Sequence, residues 1–285
     1  MPASSPGIAA IRHDALYWQR GPGLDGLHEA SGAPSSAQVY SQNIAGYTTV
    51  TLDKQYTIVG LNFEDCAGGP ILLQDAVPYA TGMTKGADDT TADCIQIQKT
   101  SGYDTYYLSN GAVGKGTNPA LEGKWVKLGE TPVQASTNTL GVGTAFWYLA
   151  RNPSSTFKVA MAGQVLVSST TNITVNLSAK HIANPFPVDL PLNNGIPYTV
   201  GMTKGADDTT ADCIQIQKAS GYDTYYLSNG AVGKGTDPAL EEKWVKLGET
   251  PAKATLDSIP VGKGAWYMRR GAADFTVEVV RPFSL

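Results

Sequence analysis

One block of the chain occurs twice. Gly82–Pro132 and Gly201–Pro251 align without a gap at an offset of 119, and over these 51 positions only Thr100/Ala219, Asn118/Asp237 and Gly123/Glu242 differ. The stretch GMTKGADDTTADCIQIQK is repeated letter for letter at Gly82–Lys99 and Gly201–Lys218. Likeness continues more weakly on both sides: TVTL (Thr49–Leu52) answers TVNL (Thr174–Leu177), and GVGTAFWYLAR (Gly141–Arg151) answers PVGKGAWYMRR (Pro260–Arg270). Such a period is that of a domain, longer than solenoid or propeller units of roughly 20–50 residues. The chain therefore reads as two units, 38–168 and 169–285, meeting near Ser168–Thr171. Identity that runs through turn, strand and surface alike records copying, because selection on a site would hold contact residues and let the rest drift.

Within a unit, short runs alternate with period two and are separated by turn signals, the pattern of antiparallel strands. YTTVTL, YTIVGLNF, DCIQIQK, YDTYYLS, KWVKL, TAFWYLA and FKVAMAGQV are the runs of the first unit. Asn110-Gly111 and Asn152-Pro153-Ser154 are turns. PALEGKW is too short to stand as a helix in water. With 31 Gly, 17 Pro and 14 Tyr against 6 Phe, the composition agrees. The expected fold is all-β: two tandem duplicated β-sandwich or small-barrel domains of about seven or eight strands each.

A net charge of −4 with no Lys/Arg stripe argues against nucleic acid as a partner. No apolar run is long enough to span a membrane as a helix. Residues 1–37 carry His13 and His28 but neither strand periodicity nor an apolar signal core, and read as a weakly ordered leader or a non-native start. Ser35, Ser36 and Ala37 would suit the end of a signal sequence.

Several motifs together resemble a group of secreted bacterial β-repeat proteins of no assigned activity. They are VYSQNxxGY (Val39–Tyr47), ADxIQ (Ala92–Gln96), GYxTYY (Gly102–Tyr107) and the aromatic strands Gly141–Arg151 and Gly262–Arg269. The resemblance implies export, to the medium or the cell surface, and a β fold. It brings no catalytic residue, and Cys94 and Cys213 depart from its pattern.

Four constellations could carry chemistry. Asp88, Asp89 and Asp93, repeated as Asp207, Asp208 and Asp212, offer oxygen ligands to calcium, although the spacing is not that of an EF-hand. Asx-turn chemistry accounts for the loop equally well. Asp93 and Asp212 fall in phase with buried-type isoleucines and so require hydrogen-bond partners. Tyr107, Trp125 and Trp147, with Tyr226, Trp244 and Trp266, could form an outward aromatic platform for a polysaccharide. Carboxylate chemistry could draw on Asp93, Asp212, Glu122 and Glu241, with Glu130, Asp104, Glu249 and Asp223 nearby. His181 is the sole histidine of the two units, nearest Tyr56 in the unequal alignment, and no nucleophile elbow accompanies it.

Cys66, Cys94 and Cys213 are an odd number, which leaves a thiol over or an intermolecular bridge to an oligomer, with the pairing open. The strand phase puts Cys94 and Cys213 on the polar side. The sequence thus points to a secreted or cell-surface interaction protein that binds a polysaccharide or another surface component and needs no cofactor, with calcium as the one ion to consider. The rivals are a carboxylate- or calcium-dependent extracellular hydrolase of glycosides, esters or lactones, and a structural subunit of a surface layer or fibre.

Overall fold

The computed structural model describes residues 45–52, 55–113, 116–152, 156–232 and 235–284, all within one compact unit, Asn43–Leu285. The expected leader, 1–37, lies outside them, as do most of the Val39–Tyr47 motif and the turn residues 153–154. The chain is all-β, as the alternation of its runs requires.

The first half carries β1 (Ala45–Leu52), β2 (Tyr56–Gly60), β3 (Ile71–Leu72), β4 (Cys94–Gln98), β5 (Tyr103–Leu108), β6 (Ala112–Val113), β7 (Gly116–Thr117), β8 (Trp125–Lys127), β9 (Thr139–Leu140), β10 (Ala145–Leu149) and β11 (Phe157–Gln164). The second carries β12 (Thr170–Val175), β13 (Ala179–Ala183), β14 (Leu190–Pro191), β15 (Cys213–Gln217), β16 (Tyr222–Val232), β17 (Gly235–Lys246), β18 (Ser258–Ile259), β19 (Gly264–Met268) and β20 (Phe275–Val280). Two five-stranded antiparallel sheets result, ordered β2-β10-β4-β5-β8 and β13-β19-β15-β16-β17.

Each sheet buries one face beneath a two-stranded ladder. Ile95 lies between Tyr148 and Tyr106 across the rungs, and Ile97 lies opposite Phe146. Val50 and Leu52 of β1 and Phe157, Val159 and Met161 of β11 close over them. β12 and β20 do the same in the second half, with Val175, Phe275, Val277 and Val279 over Ile214, Tyr225 and Tyr267. Period-two alternation thus makes two layers around each core. Trp125 and Trp244 lie inside, and each donates its indole N–H to a carbonyl, Val77 at 2.6 Å and Ile196 at 2.7 Å. A buried indole needs that partner.

The halves meet at the outer ends of their sheets. β2 and β13 are edge strands, and an uncovered edge leaves backbone groups unpaired. A glutamine from the opposite half covers each one. Gln98 accepts from the His181 N–H at 2.9 Å and donates to the Ala179 carbonyl at 2.8 Å. Gln217, its repeat equivalent, accepts from the Ile58 N–H at 3.3 Å and donates to the Tyr56 carbonyl at 2.8 Å. A primary amide offers donor and acceptor together, so it completes a strand edge much as a backbone would. Between the clamps lie Ile58, Ala145 and Ala183, with Trp147 and Trp266 packed against them. Gly60 donates to the Gly262 carbonyl at 3.0 Å, and a Cβ at Gly60 would stand 2.5 Å from the Lys263 carbonyl oxygen. No larger residue fits there.

The substitution of Gly123 by Glu242 between the copies has a backbone consequence. Gly123 has φ 71°, and Glu242 is held at φ 61°, a left-handed conformation that costs a residue with a Cβ. Its exposed ion pair with Lys204 at 3.1 Å offsets little of this. Glu242→Gly is therefore expected to stabilise the protein by about 1 kcal/mol, a rise in melting temperature of roughly 2–4 °C. An unchanged or lower melting temperature in calorimetry would refute the strain.

Candidate functional site

Asp93 and Asp212 are the most constrained polar residues predicted from the sequence, at 1% and 0% exposure. Asp93 Oδ1 accepts from the Arg151 N–H at 2.7 Å. Its Oδ2 accepts from the Tyr148 hydroxyl at 2.6 Å and the Thr84 N–H at 3.1 Å. Asp212 repeats the set with Arg270 N–H, Tyr267 hydroxyl and Thr203 N–H at 2.7, 2.8 and 3.2 Å. Burial, reinforced by the neighbouring carboxylate, holds the Tyr148 and Tyr267 phenols protonated far above their usual range. Each carboxylate ties three chain segments together, and all its donors come from within.

The acidic loop is built the same way. Asp88 Oδ1 accepts from the N–H groups of Thr90 and Thr91, both at 3.0 Å, and from their hydroxyls at 2.7 and 2.9 Å. Asp207 does so with Thr209 and Thr210. These side-chain bonds hold both carboxyls below the usual carboxylate range. Asp89 and Asp208 contribute their main-chain carbonyls, which accept from the guanidinium groups of Arg151 and Arg270. Among the described residues, no three His, Cys, Asp or Glu side chains gather as a metal site.

The loop also corrects the placement of the cysteines. Cys94 and Cys213 are on the outer sheet face, as their phase predicts, but that face is not open there. Each is buried in a small apolar cluster, with Tyr107 and Val126 in one half and Tyr226 and Val245 in the other. Burial pushes both thiols up to about 12. Cys66 is exposed, and all three cysteines are free.

The remaining carboxylate candidates are paired at the surface. Glu122 meets Lys85 at 2.5 Å, and Glu241 meets Lys204 at 2.8 Å. Asp104 and Asp223 hold Lys127 and Lys246 at 2.9 and 2.8 Å. Glu130 accepts from Gln134 and Glu249 pairs with Lys253.

The outward platform needs a correction. Trp125 and Trp244 belong to the cores, and Tyr107 and Tyr226 to the covered clusters, so these four rings present no surface. Trp147 and Trp266 are half-buried at the seam, their ring centroids 6.1 Å apart. His181 lies against both, 4.0 Å from Trp266 and 5.4 Å from Trp147. Tyr56 joins Trp147 at 6.0 Å, and Tyr103 joins His181 at 6.1 Å. Tyr56 and Tyr103 are 45% and 41% exposed, so the strip emerges at both ends. Register also re-aligns His181: it faces Trp266 as Ile58 faces Trp147, making Ile58 its counterpart rather than Tyr56.

His181 is 4% exposed, and neither ring nitrogen has a partner among the described residues. Burial pushes its imidazole down to about 4. Sequence reasoning found the rings of the strip but not their grouping, and it missed the glutamine clamps and the tyrosine partners of the buried aspartates.

Two outcomes are expected. Asp93→Ala orphans three buried donors and should cost about 3–5 kcal/mol in urea unfolding, and Tyr148→Phe about 1–2 kcal/mol; losses below these would deny the pinning role. For His181, the folded pKa lies below the unfolded value, so the unfolded chain binds the extra proton. Its contribution is present above about pH 6.5 and is lost as pH falls from there towards about 4. At about 1.4 kcal/mol per pKa unit this amounts to roughly 3 kcal/mol. His181→Ile should flatten that limb of the stability–pH curve relative to the parent, and parallel curves would contradict it. In comparisons with protein families, curated proteins and solved structures, no match to the chain was found.

Proposed function

We propose that this is a secreted or cell-surface carbohydrate-binding protein with no catalytic role. The observation that carries the reading is the continuous aromatic strip Tyr56–Trp147–Trp266–His181–Tyr103, open at both tyrosine ends. The C–H face of a sugar ring packs on an aromatic face, and hydroxyls then need polar neighbours. Gln96 and Thr105 stand in the same cross-strand row as Trp147, and Gln215 and Thr224 in the row of Trp266, all half-buried. The carboxylates that a hydrolase would use are engaged in internal bonds or surface ion pairs, and Asp88 and Asp207 spend an oxygen on four donors each, which weakens both the hydrolase and the calcium readings.

The test is retention on insoluble polysaccharides, followed by titration calorimetry with soluble oligosaccharides of those retained. Tyr56→Ala and Tyr103→Ala change exposed rings and should leave the circular dichroism spectrum intact. Each is expected to weaken binding about tenfold, the value of roughly 1.4 kcal/mol for one stacked ring. Retention equal to the parent by both variants would overturn the reading.

A further inference from the structure

At the seam, the end of the first sheet and the β12–β13 turn of the second half enclose a cleft of about 350 Å³. Its repeat-equivalent, around Ile58, Gln217 and Lys263, has about 130 Å³. The difference follows from a few substitutions between the halves. Lys263 crosses the smaller cleft to donate to the Thr51 carbonyl at 2.9 Å, whereas the short Thr144 stands at the matching place in the larger one. Side chains also pack more tightly against the backbone on the small side. A Cβ on Gly262 would lie 2.6 Å from Val50 Cγ2, and one on the equivalent Gly143 would lie 3.8 Å from Pro185 Cβ.

The open cleft is cationic. Lys99 and Lys180 line it, with Asn172, Asn176, Thr144 and His181, and no Asp or Glu among the described residues belongs to its wall. Lys99 shares Asp104 with Lys127, at 3.4 Å. Lys180 is half-buried and donates to the Thr174 carbonyl and, at 3.4 Å, to Asn176 Oδ1. No carboxylate pairs with it among the described residues, and burial pushes its ammonium below the usual lysine range. A half-buried cation facing a cleft favours an anion there. His181 also lines the cleft, its ring nitrogens buried and without a hydrogen-bond partner among the described residues. The Tyr103 ring beside His181 connects the cleft to the aromatic strip.

Resting on the carbohydrate reading above, we propose that this cleft receives the carboxylate of an acidic sugar, so that the ligand is a uronate-containing polysaccharide. Lys180 pairs with the carboxylate, Asn172 and Asn176 hydrogen-bond the ring hydroxyls, and Tyr103 stacks on the sugar next along the chain.

The experiment titrates the full chain with oligogalacturonate and with the same oligosaccharide after reduction of its carboxyl groups to hydroxymethyl. The acidic form is expected to bind at least tenfold more tightly, Lys180→Gln to remove most of that preference, and Asn172→Ala to weaken both forms alike. In parallel, monomeric galacturonate, and not galactose, should shift the ring-proton resonances of His181, assigned by their loss in His181→Ile. Equal affinity for the acidic and reduced forms, or an unaltered preference in Lys180→Gln, overturns the uronate inference while leaving a neutral glycan ligand in place. A reduced form that still binds, with dependence on Tyr56 and Tyr103, identifies that case. If neither form binds and galacturonate leaves His181 unmoved, the inference falls together with the carbohydrate reading.

Discussion

The reciprocal glutamine clamp is the contact on which the arrangement of the two halves depends. Each five-stranded sheet ends in a strand whose outer edge would otherwise face water or another chain. Gln98 and Gln217 close these edges across the seam with the same pair of bonds, one given and one received. Closing them brings Trp147, Trp266 and His181 together, leaves Tyr56 and Tyr103 at the rim, and forms the walls of the cleft. The aromatic strip is therefore a property of the pair of halves. Neither half contains it.

The buried aspartates have a different role. Asp93 and Asp212 fix the loop before β4 or β15 to the end of the aromatic strand through Tyr148 or Tyr267 and a backbone N–H. That brings Arg151 and Arg270 over the acidic loop, which in turn seals Cys94 and Cys213. Full hydrogen bonding of a buried carboxylate makes it a rigid joint between the segments that it holds.

The strands and the inward aspartates were legible because alternation reports which residues share a face. It does not report what covers that face. Trp125 alternates in phase with Lys127, which predicts an outward ring, yet β8 is short, and Lys127 reaches the rim to meet Asp104 while Trp125 stays within. Cys94 does lie on the outer face, beneath a loop whose path depends on bonds between residues far apart in sequence. Gln98 and Gln217 look like ordinary solvent-facing strand residues, since their partners are backbone atoms of the opposite half. Sequence alone aligns His181 with Tyr56 because the copies differ in length upstream of the identical block, and only its pairing with Trp266 makes it the counterpart of Ile58, which pairs with Trp147.

The near-identity of the two blocks gives the molecule an internal reference. Gln96 and Gln215, or Gln98 and Gln217, have the same neighbours in sequence and the same strand geometry. Local propensity is therefore common to both members of each pair and cancels on comparison. Any difference in exchange rate, resonance position or chemical reactivity between the two copies of one residue measures the influence of the surroundings alone. The chain thus separates, within a single sample, what a segment does by its own sequence from what the fold imposes on it.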